Sequence, residues 1–156
     1  MEVAFASDHA GFAYKKELVP HFQKKGYQII DLGVFDESLA DYPDVAEKIA
    51  EAVIKKKVKK GIIFCGSGVG VSVAANKFPG IRAGVCHDTY SAHQGVEHDD
   101  INVLCLGSRV VGLELCREIS EIFLEARFSG EKRHHLRLQK LRNIEKRTMR
   151  THILDR

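Results

Sequence analysis

Short apolar runs alternate along the chain with longer segments in which apolar residues recur every three or four positions. The runs at 3–6, 27–32, 61–65, 81–86 and 102–106 read as five strands, the last three as strands buried on both faces. Between them, Tyr14, Leu18 and Phe22 mark a helix that ends near Gly26, and Val45, Ile49, Ala52 and Val53 mark another. Two-turn helices are predicted at 69–76 and 89–96, and Leu115, Ile119, Ile122 and Ala126 pattern a longer one. The stretch 33–43 is rich in turn formers. Buried strands separated by helices predict an α/β fold with a parallel sheet covered on both faces. Residues 1–156 form one domain on this reading, with no linker, internal repeat or low-complexity tract.

The last segment, 131–148, changes the picture. Leu138, Leu141 and Ile144 form a narrow apolar stripe on an otherwise basic helix. Such a stripe seldom holds a helix to its own domain by burial alone, so the segment is expected to pack on a second subunit. The other reading is a frayed C-terminal helix. From Arg127 to Arg150 the basic residues are Arg127, Lys132, Arg133, Arg137, Lys140, Arg142, Lys146, Arg147 and Arg150, opposed only by Glu131 and Glu145. That density suits an anionic partner, either a phosphate ester or nucleic acid, although a solvated helix face accounts for most of these residues. Within 131–148 no Phe, Tyr or Trp interleaves with the charges, as single-strand binders use for stacking, which argues against nucleic acid.

Composition narrows the class further. A hydrophobic content of 44% and a charged content of 29% suit a soluble globular protein. No apolar run approaches the roughly 20 residues of a membrane span. The opening MEVAFASDHAG lacks a basic, then apolar, export signal, so a cytoplasmic location with no membrane partner is expected. Cys65, Cys86, Cys105 and Cys116 show no C-x-x-C or C-x-x-H spacing, which argues for free thiols and against a zinc site.

In open parallel sheets, ligands sit beyond the C-terminal ends of the strands. Four chemistry-bearing stretches follow predicted strands there: Ser7-Asp8-His9, Cys65 to Gly70, His87-Asp88 and Gly107-Ser108-Arg109. The run Gly66-Ser67-Gly68-Val69-Gly70 opens a helix, where glycines let the backbone turn tightly and aim N–H groups at an anionic oxygen. It lacks the Gly-Lys-Ser/Thr of a P-loop and the spacing of the dinucleotide fingerprint, so no nucleotide cofactor is expected. Taken alone the signal is weak, because many glycine turns are merely turns. Cys65 immediately precedes those amides, a setting that favours a thiolate, yet a buried strand cysteine would look the same. Ser67 reads equally as a helix cap.

Five stretches taken together carry a family resemblance. ASDHAG near the N-terminus, DYP at 41–43, CGSGVGVSVAANKFPGIRAGVC at 65–86, NVLCLGSRVVG at 102–112 and Arg133-His134 with Arg137 resemble the ribose-5-phosphate isomerase B family, which includes galactose- and allose-6-phosphate isomerases. The match runs along nearly the whole chain in order. It implies a three-layer α/β/α fold with a five-stranded parallel sheet, no metal or organic cofactor, and a homodimer or pair of dimers whose sites draw on both subunits. The C-terminal helix would then lie at the subunit interface.

The resemblance also implies roles. Cys65 would be the base that moves a proton between adjacent carbons through a cis-enediolate. In one branch of the family a glutamate in the glycine loop does this, but here the loop reads Val69-Gly70-Val71-Ser72. Amides of Gly66, Gly68 and Gly70 would hold the oxyanion, and Ser67 would pass a proton between sugar oxygens. His98 would open the sugar ring, an acid–base step suited to imidazole. His9, Arg109, Arg133 and Arg137 would bind phosphate, with Asp8 and Tyr42 on sugar hydroxyls. Arg133 and Arg137 lie four residues apart, on one helix face. His134, between them, could touch phosphate without being essential. Asp99 stands where many relatives carry asparagine. The substrate implied is a phosphorylated sugar, ribose 5-phosphate first, with a six-carbon aldose 6-phosphate as the alternative.

Overall fold

Alternation along each strand sends its side chains into two separate apolar layers. Val3, Phe5, Ile62, Phe64, Leu104 and Leu106 pack on one face, and Ala4, Ala6, Ile63, Cys65, Val103 and Cys105 on the other. Our computed structural model describes residues 1–154, with side chains through Thr148, so Arg150 of the basic segment lies outside the described side chains. The elements run β1 (Glu2–Ser7), α1 (Phe12–Lys24), β2 (Gln28–Asp31), α2 (Tyr42–Ile54), β3 (Lys60–Cys65), α3 (Val69–Ala75), β4 (Ala83–Val85), α4 (Thr89–Asp99), β5 (Val103–Gly107), α5 (Leu113–Glu125) and α6 (Lys132–Leu154). All strand pairs are parallel, in the order β2-β1-β3-β5-β4. The α1, α4 and α5 side chains cover the first layer, and α2 and α3 the second. The expected three-layer α/β/α sandwich is therefore observed.

Two boundaries differ from the sequence reading in ways that matter. The strand expected at 81–86 pairs only over Ala83–Val85, because the Ile81 N–H closes a turn onto the Phe78 carbonyl and the Arg82 N–H bonds the Asn102 side chain. Helix α4 runs past 96 to Asp99, which places His98 and Asp99 on its last turn. Asp88 starts that helix by accepting from the Ser91 N–H at 2.7 Å. The basic helix α6 has two parts. Its first half holds to its own chain through buried His134 and Leu138, while Leu136, Leu141 and Ile144 stay about half exposed. Among the described residues, no helix is long and apolar enough to cross a membrane.

The crossovers diverge between β1 and β3: the chain leaves β1 toward β2 on one side, then returns to build β3, β5 and β4 on the other. Such a switch point opens a crevice at the strand ends. Here the crevice is kept tight by glycine. A Cβ on Gly11 would lie 2.1 Å from the Phe64 carbonyl oxygen, and one on Gly107 would lie 2.7 Å from the Ser67 backbone. Gly11→Ala is expected to cost about 3 kcal/mol, because backbone rather than a flexible side chain must move. Urea denaturation of the variant measures this, and an unchanged midpoint would contradict the close packing.

Candidate active site

The crevice at the switch point is a cleft of about 390 Å³ lined by Asp8, His9, Tyr42, Cys65, Gly66, Ser67, Gly70 and Arg109, with Ala10 and Val110. It is built from three strand ends. Register pairs Ser7 with Phe64 and Cys65 with Gly107, so the loops after β1, β3 and β5 leave the sheet side by side. Ser108 ties them together: its Oγ donates to the Ala10 carbonyl at 2.7 Å and also lies 3.1 Å from the Cys65 carbonyl. Its N–H bonds the same Cys65 carbonyl at 2.8 Å, and the Arg109 N–H bonds the Gly66 carbonyl at 3.1 Å.

Cys65 is 4% exposed, with Sγ accepting from the Gly68 N–H at 2.9 Å. That bond needs Gly68 in the left-handed region, at φ +81°, a conformation glycine adopts without strain. Burial raises the thiol above its ordinary value; N–H groups of Gly68, Ser67 and Val71 pull the other way, and the Asp8 charge adds to the rise. The sequence expectation of a favoured thiolate is thus corrected: amides do point at the sulfur, but desolvation outweighs them. The remaining thiols are further from ionisation, with burial pushing Cys86 up to about 11 and Cys116 up to about 12, and Cys105 higher still.

The polar groups around the sulfur are held in place. Asp8 Oδ1 accepts from the Gly11 N–H at 3.0 Å, and His9 Nδ1 accepts from the Ala40 N–H at 3.4 Å. The His9 proton therefore sits on Nε2 in the neutral ring. Tyr42 opens α2, ahead of Pro43, and its ring lies 3.1 Å from where a Cβ on Gly70 would be. The Arg109 guanidinium lies similarly against Gly66, at 3.4 Å, and makes no side-chain hydrogen bond or ion pair among the described residues. Ser67 Oγ accepts from the Val69 N–H at 3.3 Å, a capping contact that leaves its proton available.

Not every expected site residue meets at this cleft. Cys65, Ser67, Asp8, His9, Tyr42, Gly66, Gly70 and Arg109 line it, and Gly68 supports the sulfur. His98, Asp99, Arg133 and Arg137 do not line it. They belong to a second cluster where the end of α4 meets the start of α6. There the His98 ring stacks on His134, with centroids 4.3 Å apart and planes 22° from parallel. Arg133 pairs with Glu131 at 2.8 Å, and Asp99 faces a groove beside Leu138 and Leu141.

Lys15 and Asp31 escaped the sequence reading, and His87 and Ser108 had no role in it beyond following strands. Lys15, on the helical surface by pattern, is 2% exposed and bonds both Asp31 carboxylate oxygens at 2.5 and 2.6 Å. Asp31 in turn accepts from the Gly33 N–H, anchoring the turn-rich loop whose Ala40 holds His9. His87 Nε2 accepts from the Gly107 N–H at 3.0 Å, and Ser108 is the brace described above. Only the position of Ser108 and His87 after strands hinted at them; Lys15 carried no signal, since its partner lies on a different element.

Comparisons with known proteins bear on the family and the fold. The sequence profile described as Ribose/Galactose Isomerase matches residues 3–141. Ribose-5-phosphate isomerase B of Escherichia coli strain K12 is 47% identical over 146 residues, covering 94% of this chain and 97% of the relative. A D-erythrulose-4-phosphate isomerase of Pectobacterium atrosepticum is 39% identical over 132 residues, 83% of this chain and 86% of that protein. Ribose-5-phosphate isomerase B of Clostridium thermocellum superposes with a TM-score of 0.92 at 45% identity, covering 95% and 99% of the two chains. The Mycoplasma genitalium enzyme, solved with bound ribulose-5-phosphate, gives 0.87 at 39% identity, covering 93% and 96%. With its profile, length and fold all in agreement, this chain belongs to the ribose/galactose isomerase family.

Proposed function

We propose that the protein interconverts ribose 5-phosphate and ribulose 5-phosphate, with Cys65 as the base on carbon. The observation that carries this reading is the Gly68 N–H on Cys65 Sγ at 2.9 Å inside a polar cleft at the switch point. Relatives named ribose-5-phosphate isomerase B, matching almost end to end, support the choice of substrate.

In this reading the Cys65 thiolate takes the proton from C2 of the open aldose. The C2–H electrons form the C1–C2 double bond, and the carbonyl electrons settle on O1 as the cis-enediolate oxyanion. Loop amides from Gly66 to Gly70 stabilise that charge; each well-placed donor in comparable holes contributes about 2.7–4 kcal/mol. Ser67 gives its proton to O1 and receives the one from O2, and the protonated Cys65 returns its proton to C1. Asp8 and Tyr42 orient the hydroxyls, while His9 and Arg109 meet the phosphate.

Ring opening and the rest of the phosphate site fall to His98, Asp99, Arg133 and Arg137, which this chain places away from its own cleft. We assign them to the cleft of a second copy, making a homodimer or dimer of dimers in which each site is shared. The half-exposed Leu136, Leu141 and Ile144 on α6 and the exposed Val69, Val73 and Val110 near the cleft are the apolar surface such an interface would cover. On this reading residues 1–156 act as one domain, with 131–148 at the interface.

Side-by-side kinetics on ribose 5-phosphate, allose 6-phosphate and galactose 6-phosphate test the substrate; a six-carbon preference would move the assignment within the family. Cys65→Ala is expected to keep binding ribose 5-phosphate but turn over at less than about a hundredth of the wild-type rate; survival of a tenth would place the base elsewhere. Because burial raises the thiol, the base form is a minority at neutral pH and grows as pH rises. The free-enzyme rate constant kcat/KM should therefore keep climbing past about pH 8.5, the ordinary thiol range. A profile flat from pH 7 upward would contradict this. Mixing inactive Cys65→Ala with inactive His98→Ala should restore up to about a quarter of wild-type activity, since half the dimers are mixed and one of their two sites is intact. No recovery after subunit exchange would refute shared sites.

A further inference from the structure

The cluster at α4 and α6 holds a side chain the proposed mechanism does not use. His134 is fully buried, and neither ring nitrogen has a hydrogen-bond partner among the described residues. Its contact is the face of the His98 ring, 4.3 Å away and 22° from parallel. One helical turn before His98, the Gln94 side-chain amide Nε2 lies 2.9 Å from His98 Nδ1. An amide NH2 only donates, so Nδ1 accepts, and the neutral imidazole carries its proton on Nε2. We propose that Gln94 and His134 are positioning residues for His98: Gln94 selects the Nε2–H tautomer, and the His134 ring fixes the plane in which that proton points.

The inference rests on the reading of His98 as the ring-opening acid. Opening breaks the bond between C1 and the ring oxygen; that oxygen takes the His98 Nε2 proton, and the C1 hydroxyl gives its own through solvent back to Nε2 as the aldehyde forms, so the imidazole ends neutral. An imidazole does the first part only if the N–H, not the lone pair, faces the sugar. Both supports serve this end. The charged and titratable groups facing the pair are Glu97 and His93 on α4, with Glu97 Oε2 3.8 Å from His98 Nε2 and 3.5 Å from His93 Nδ1. From the α6 side they are Glu131, Arg133 and Arg137 around His134. Burial, then the charges of His98 and Arg133, hold His134 below its ordinary value, with Arg137 adding to the effect and Glu131 opposing it.

Long-range 1H–15N correlation spectra of histidine-labelled protein read the tautomer directly, with the His98 signal assigned by its loss in His98→Asn. The wild type should show His98 protonated on Nε2. In Gln94→Glu the carboxylate accepts from Nδ1, so a proton moves to Nδ1, and turnover of ribose 5-phosphate should fall at least about tenfold at unchanged thermal midpoint. His134→Phe preserves the stack and should stay within about threefold of wild type, whereas His134→Ala should lose at least about tenfold in kcat with little change in KM. An Nδ1–H tautomer in the wild type, or wild-type turnover in Gln94→Glu, overturns the role of Gln94. Equal losses in His134→Phe and His134→Ala overturn the stacking role, since a ring nitrogen would then be needed. The spectra require no substrate, so a wild type inert toward ribose 5-phosphate would sink the sugar assignment while the tautomer result still judges Gln94.

Discussion

Three backbones crowd together at the carboxyl end of the sheet, and the candidate site exists because nothing but hydrogen occupies the space between them. Gly11 presses on the Phe64 carbonyl, and Gly107 on the backbone of Ser67. Into that contact Ser108 reaches with its hydroxyl, bridging the Ala10 and Cys65 carbonyls. Loops from β1, β3 and β5 therefore behave as one rigid rim. Preorganisation is what a site for a developing oxyanion needs, because donors already fixed in place cost no reorganisation when charge appears.

The same crowding sets the electrostatics of Cys65. A sulfur packed between strands is desolvated, and desolvation raises its proton affinity more than three backbone N–H groups lower it. The balance is useful chemistry. A thiol that stays mostly protonated is a poor target for oxidants and alkylators. On the proposed reading its ionised form meets substrate beside amides that also receive the oxyanion, so the same donors serve first the base and then the intermediate.

Much of the fold was legible because strand alternation and helix spacing are local. Runs such as Ile62, Ile63, Phe64 and Leu104, Cys105, Leu106 announced buried strands, and the structure divides them between two layers as a two-sided parallel sheet requires. Strand order was not legible, since β5 inserts between β3 and β4 by contacts remote in sequence. At the site, the glycine loop and the polar residues after strands were readable from their placement. Lys15 was not: a lysine on a helix looks solvated until Asp31, sixteen residues away, closes over it. Nor was the sign of the Cys65 shift, because the sequence offered both a buried strand and glycine amides and could not weigh one against the other.

The division of the expected site residues into two clusters follows from helix geometry. Arg133 and Arg137 lie one turn apart on α6 and His98 is on the last turn of α4, and the His98–His134 stack joins the two helices there. Within that cluster Glu131 answers Arg133, while Arg137 has no carboxylate partner among the described residues. Arg109 at the cleft is likewise without one. Two uncompensated guanidiniums on separate blocks repel when brought together, and a dianionic phosphate between them reverses the sign of that interaction. If the blocks meet across a subunit interface, as proposed, substrate and assembly are linked: each binds more tightly in the presence of the other, by the same factor.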